Sequence, residues 1–324
     1  MSFERVTAAT LAVTYMTLGC QPYRKCDAVD EAAVGRLPER LSQTDLYAPD
    51  EDEALAADVR GFRPRFELWS DGATKRRFIW LPPGTRIDAT DMDSWQFPVG
   101  TKLWKEFTRD GVRVETRLLQ RLPEGWTGVA YLWRKDGSDA VAAPYGAIDA
   151  LGTRHNVPAA NECDACHGGR SSHVLGLSAV QLAGQSAANS LNLEELGRLD
   201  LISHLPAAMP RVPGNDTEQA ALGYLHANCS HCHNASRPPR SGSRCFDPEN
   251  DLDFLLRSDE GPAVAETSAY RSAIGDFIEP GHPHDSSLLD LVSQRSRFNQ
   301  MPPLASELVD TDAVALLRRW IEAM

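Results

Sequence analysis

Cys163-Asp164-Ala165-Cys166-His167 and Cys229-Ser230-His231-Cys232-His233 are two copies of one pentad in a chain of 324 residues that holds seven cysteines and nine histidines. The spacing has a chemical meaning. Two thiols three residues apart can each form a thioether to one vinyl group of a haem, and the histidine after the second thiol is then held beneath the iron as its proximal ligand. The repetition predicts two covalently attached haem c groups, one on Cys163, Cys166 and His167 and one on Cys229, Cys232 and His233. Two rival readings use the same residues. Two Cys-x-x-Cys pairs can supply four thiolates to a tetrahedral zinc, but such a site needs no histidine after each pair. A dithiol redox motif opens a helix in a βαβ unit, and no run of alternating strands and helices surrounds either pentad.

Downstream of each pentad the sequence offers ligands for the other face of the iron. Met301 lies in Asn299-Gln300-Met301-Pro302-Pro303, where two prolines stiffen a loop that can hold a thioether toward the metal, and His/Met ligation raises the reduction potential. His282 and His284 are the alternatives there. For the iron on His167 the candidates are Met209, His173 and His204. Met209, followed by Pro210 in a loop after an expected helix, is the favoured ligand, and an open iron is the next reading. A six-coordinate haem transfers electrons, whereas an open one binds peroxide or another small molecule.

Upstream, residues 60–149 read as β-structure. Alternating, β-branched and aromatic runs at 65–69, 77–81, 102–108, 112–122 and 126–134 are separated by Ser70-Asp71-Gly72, Pro82-Pro83-Gly84, Arg109-Asp110-Gly111, Pro123-Glu124-Gly125 and Lys135-Asp136-Gly137. Six of the seven tryptophans fall between Trp69 and Trp133, which predicts one aromatic-rich core. Lys75-Arg76-Arg77 could bind haem propionates or form a solvated charge cluster. After Pro158 short helices take over: one near 193–204, one capped at Thr217 that runs into the second pentad, and one capped at Asp310 or Asp312 that carries Val314, Leu317, Trp320 and Ile321 on one face. Gly223 is expected to let the last two cross closely, with Trp320 at the crossing.

The expected fold class is therefore α+β: a β-sandwich-like N-terminal domain followed by mostly α-helical cytochrome c-type haem domains. The divisions are 1–20 (signal peptide), 21–59 (linker), 60–150 (antiparallel β-rich domain), 151–215 (first haem segment) and 216–324 (second cytochrome c-like domain). Arg5 and the uncharged stretch 6–18 resemble an export signal too short to span a bilayer. Thr17-Leu18-Gly19-Cys20 is similar to a lipobox, so a lipid on Cys20 would attach the chain to the membrane. Cys26 and Cys245 are left over and could pair in an oxidising compartment. A net charge of −12 opposes nucleic-acid binding and suits docking to basic redox proteins.

These residues resemble a family of bacterial di-haem c-type cytochromes of poorly defined role. The resemblance covers most of the mature chain and is carried by residues 68–76 (Leu68-Trp69-Ser70-Asp71-Gly72-Ala73-Thr74-Lys75-Arg76), Phe97-Pro98-Val99-Gly100-Thr101, Glu115-Thr116-Arg117, both pentads and Met301-Pro302-Pro303. It implies an exported periplasmic or envelope redox protein with two covalent haems, transferring single electrons between redox partners, and ligation by Met301. It supplies no substrate. Residues 98–134 are also similar to the β-sheet domain of cytochromes that cross-link their haem to a lysine, but no pentad lies there, so a third haem is not implied. The alternative function is a di-haem peroxidase or oxidase with an open haem on His167.

Overall fold

The computed structural model describes residues 28–49, 54–184, 190–238, 250–296 and 299–324. Six strands form one sheet: β1 (Arg60–Gly61), β2 (Thr74–Trp80), β3 (Lys102–Arg109), β4 (Val112–Leu122), β5 (Gly125–Trp133) and β6 (Ala140–Ala142). They pair antiparallel in sequence order. Asp110 and Gly111, both at positive φ (50° and 79°), close β3 onto β4 in a two-residue hairpin.

Period-two alternation gives the sheet two different faces. Phe78, Trp104, Leu118 and Val129 form one cross-strand row. They pack against Leu37, Leu41 and Leu46 of the N-terminal segment. On the opposite face Ile79 and Leu103 join Leu177, Leu182, Leu193 and Ile202, from the stretch that carries the first pentad, in a second core. The described residues thus contain one sheet covered by loops and helices, not the expected sandwich. The N-terminal segment does the work that a second sheet would do. The tryptophans are divided accordingly: Trp104 and Trp133 lie in the first core and Trp95 in the second. The expected strand at 65–69 is irregular, because Phe66 leaves the sheet to pack into the C-terminal core.

The helices are α1 (Glu31–Val34), α2 (Ala160–His167), α3 (Ala179–Leu182), α4 (Leu193–Arg198), α5 (Asp216–Asn228), α6 (Ser268–Ala273), α7 (Ser287–Val292) and α8 (Thr311–Glu322). The α+β class holds. The C-terminal half, however, is not mostly helical: α5 and α8, with 13 and 12 residues, are its long helices, and loops join the rest. The expected helix at 193–204 stops at Arg198 because Asp200 turns left-handed (φ 58°). The Leu201 N–H then returns to the Leu196 carbonyl at 2.9 Å in a Schellman-type ending. That turn frees Ile202 to bridge to Ile87 of the β-rich part.

Asn215, not Thr217, caps α5, accepting from the Thr217 and Glu218 N–H groups. Asp310 caps α8, accepting from the Ala313 N–H at 3.1 Å. α5 and α8 pack together with Trp320 1% exposed. Gly223 serves a different neighbour from the one expected: its missing Cβ makes room for the Phe66 ring. Positions 1–20, including Cys20, and the leftover Cys26 and Cys245 lie outside the described residues. Among the described residues no helix is long and apolar enough to cross a membrane.

Candidate functional site

The second pentad follows directly from the end of α5. Its chain folds back at once: the Cys232 and His233 N–H groups both donate to the Cys229 carbonyl, at 3.1 and 2.8 Å. This tight turn brings Cys229, Cys232 and His233 to one mainly apolar cavity of about 710 Å³ including its mouth. Met301 lines the same cavity together with Phe254, Leu288 and Val292. His282 and His284 do not line it. The His233 Nδ1 lies 3.0 Å from the Asn250 Oδ1. An amide oxygen only accepts, so Nδ1 carries the proton and Nε2 keeps the lone pair, the form that ligates a metal. Burial pushes His233 down to about 4, which keeps the imidazole neutral at physiological pH.

The loop carrying Met301 is fastened at several points. The Met301 N–H donates to the Leu291 carbonyl at 2.9 Å. The Asp71 carboxylate accepts the Glu307 and Leu308 N–H groups at 2.8 and 3.1 Å. The Trp69 indole donates to the Leu308 carbonyl at 3.1 Å, while the Trp69 N–H donates to Asn228, the residue before Cys229, at 2.7 Å. The Trp-Ser-Asp-Gly turn is therefore a clamp between the pentad and the methionine loop.

The first pentad lies within α2, whose start is held by the Ala159 N–H donating to the Glu162 carboxylate at 2.8 Å. Cys163, Cys166 and His167 line a larger cleft of about 1730 Å³, counting its open mouth, between α2 and the sheet. The His167 Nδ1 lies 2.6 Å from the His173 carbonyl oxygen, so here too Nδ1 holds the proton and Nε2 the lone pair. Burial, reinforced by Lys105, pushes His167 down to about 3. His173 thus contributes through its backbone, on the Nδ1 side of His167.

Met209 is not brought to this cleft: it is 39% exposed and absent from the lining. His204 is exposed and hydrogen-bonded to its neighbour Ser203. Among the described residues no methionine lines the cleft. Its other histidines are His155, held by Glu115 at 2.7 Å, and His231. The sheet supplies Lys75, Arg77, Lys105 and Arg117 to the lining. Burial, then the flanking Arg77 and Arg117, push Lys105 down to about 7.

The two cavities adjoin. Asn228, His231 and Pro302 line both, and the Cys232 thiol lies 3.7 Å from the Ala165 carbonyl oxygen inside the first pentad. None of the four pentad thiols is in a disulfide, and burial pushes Cys163 up to about 11 and Cys166 and Cys229 up to about 12. Each cavity therefore combines the two thiols of one pentad, neither in a disulfide, with that pentad's own imidazole, neutral and fixed in tautomer, a donor set that fits covalently held haem. Among the described residues no group of three or more His, Cys, Asp or Glu side chains has the geometry to hold a bare metal ion. Of Lys75-Arg76-Arg77, Lys75 and Arg77 reach the lining of the first cleft while Arg76 turns to Glu106 on the opposite face; Asn250, the His173 carbonyl, the shared wall at His231, Lys105 and the cleft-facing Arg117 carry no signal in the sequence. No protein-family model matches the chain, and no curated protein or solved structure was found to be similar to it.

Proposed function

We propose that this chain is a di-haem c-type cytochrome of the bacterial envelope that passes single electrons between redox proteins. The observation that carries the reading is the placement of Cys229, Cys232, His233 and Met301 around one apolar cavity, although Met301 lies far from the pentad in sequence. Cys163 and Cys166 would hold the first haem and Cys229 and Cys232 the second, with His167 and His233 as proximal ligands and Met301 as the distal ligand of the second. Each haem, when bound, supplies a one-electron couple whose potential follows its axial ligands and surroundings. The chain's own residues do the rest. Asn250 and the His173 carbonyl fix the two imidazole tautomers, Trp69 and Asp71 fasten the methionine loop, and Phe254, Leu288 and Val292 exclude water from the second cavity. Adjoining cavities suit transfer between the two centres. The two thiol pairs line separate cavities, which weighs against a single four-thiolate zinc site. Export, attachment through a lipid on Cys20, and docking to basic partners through an acidic surface belong to the same proposal.

Potentiometric titration of the matured protein tests it. Two one-electron centres of unequal potential are expected, the higher assigned to the Met301 site. A protein with no redox-active centre would refute the proposal.

A second reading, a peroxidase- or oxidase-like protein reacting at the first site, is favoured by one observation: among the described residues no methionine lines the first cleft, and Met209 is exposed. Rapid binding of cyanide by one of the two centres in the resting protein would support it, and inert centres would exclude it.

A further inference from the structure

The pairing of the sheet places three cations side by side. Lys105 on β3 stands directly opposite Arg77 on β2 and directly opposite Arg117 on β4. Side chains so paired share one face with Cβ atoms about 5 Å apart, and like charges there destabilise a sheet. All three line the first cleft. The outer two have counter-charges: Glu67 is 3.3 Å from Arg77, and Glu115 receives two bonds from Arg117, at 2.5 and 2.9 Å. Lys105 has no hydrogen bond or ion pair among the described residues. The next residue, Glu106, points to the opposite face, where it binds Arg76 and Tyr47.

The carboxylates that line the cleft are engaged elsewhere. Asp71 accepts backbone N–H groups of the methionine loop, Glu162 that of Ala159, and Glu307 the Asn156 side chain. A half-buried amine between two guanidiniums, facing the cleft with no counter-charge of its own, costs stability and gains nothing within the fold. An anion in the cleft would complete it.

We propose that the Arg77–Lys105–Arg117 row is an anion receptor in the first cleft, with Lys105 the residue that meets a carboxylate or small oxyanion. This rests on the reading of that cleft as a haem site. Two sources share the chemistry: an oxyanion entering from solvent, or the carboxylates of the haem itself. A solvent oxyanion would make the cleft a binding site for small anionic ligands or substrates.

The test uses the ferric holoprotein, its Lys105→Met and Lys105→Arg variants, and optical titration with nitrite and with neutral imidazole. A solvent oxyanion predicts that Lys105→Met weakens nitrite by about tenfold or more, the effect of losing one charge-assisted hydrogen bond. Imidazole binding should be unchanged, and Lys105→Arg should keep nitrite. Haem carboxylates predict equal nitrite affinity in all three proteins, with Lys105→Met lowering the potential of one centre and shifting the propionate bands in its resonance Raman spectrum. A further arm needs no haem. In thermal unfolding Lys105→Met should be more stable than wild type without added anion, and sulfate should narrow that gap. If no haem is attached at Cys163 and Cys166, the functional reading of the cleft fails while this arm still decides the receptor. Lys105→Met leaving ligand binding, spectra and unfolding all unchanged would overturn the proposal.

Discussion

The Asp71 carboxylate accepts the Leu308 N–H at 3.1 Å, across 237 positions of sequence. With the Glu307 N–H at 2.8 Å it ties the turn before β2 to the loop that carries Met301. Asp71→Ala removes the charged acceptor of both groups and should cost about 1.5–3 kcal/mol, as lost hydrogen bonds to charged groups do. Denaturant unfolding measures it, and Asp71→Asn should recover part of the loss. A change below about 0.5 kcal/mol would mean that the clamp carries no energy.

The two methionines should behave oppositely. Met301→Ala should abolish the thioether charge-transfer band and lower the potential of one centre while leaving both haems covalently attached. Met209→Ala should leave spectra and potentials alone and shift stability by less than about 0.5 kcal/mol, because Met209 is exposed. A spin-state change on replacing Met209 would return it to the first site.

His226 makes stability depend on pH. Its Nδ1 accepts the Leu256 N–H at 3.0 Å, so the buried ring must stay neutral. Burial first, then Arg170 and His231, push it down to about 3. The unfolded chain protonates this residue at about pH 6.5. Between these values the unfolded state binds more protons, so this contribution is full above the upper value and is lost as pH falls toward the lower. Unfolding curves across that window should be flatter for His226→Gln than for wild type. Parallel curves would contradict the assignment.

A Cβ at Gly223 would collide with the Phe66 ring. Gly223→Ala should therefore destabilise by about 1–3 kcal/mol, the usual cost of overpacking. Phe66→Leu in the same chain should relieve part of it, and a double-mutant cycle of thermal unfolding reads the coupling. Additive effects would place the strain elsewhere.

Strand positions and turns were legible because Asp110-Gly111 and the alternation around it act locally. The expected β-strand at 112–122 coincides with β4. Arg77 stood out as part of a basic cluster, but its alignment with Lys105 and Arg117 was not legible, and for Arg117 the reason is one residue of register. Regular pairing from the Asp110-Gly111 hairpin sets Thr116 opposite Lys105. A bulge between Phe107 and Thr108 advances the register by one and sets Arg117 there. Spacing and neighbours single out the pentads and Met301 in the sequence, and the folded chain brings Cys229, Cys232, His233 and Met301 to one cavity. Met209 misled because Met209-Pro210 repeats that local pattern without the fold that brings Met301 to its cavity. Asn250 and the His173 carbonyl carry no sequence pattern, since only the folded chain sets them against the imidazoles.

The central claim is that both pentads hold haem covalently. The most direct measurement is the intact mass, under denaturing conditions, of protein matured with haem-attachment machinery, beside Cys163→Ser/Cys166→Ser and Cys229→Ser/Cys232→Ser variants. Two haem additions are expected in the wild type and one in each double variant. A wild-type mass with no covalent haem, or a single addition that survives in both variants, would contradict it.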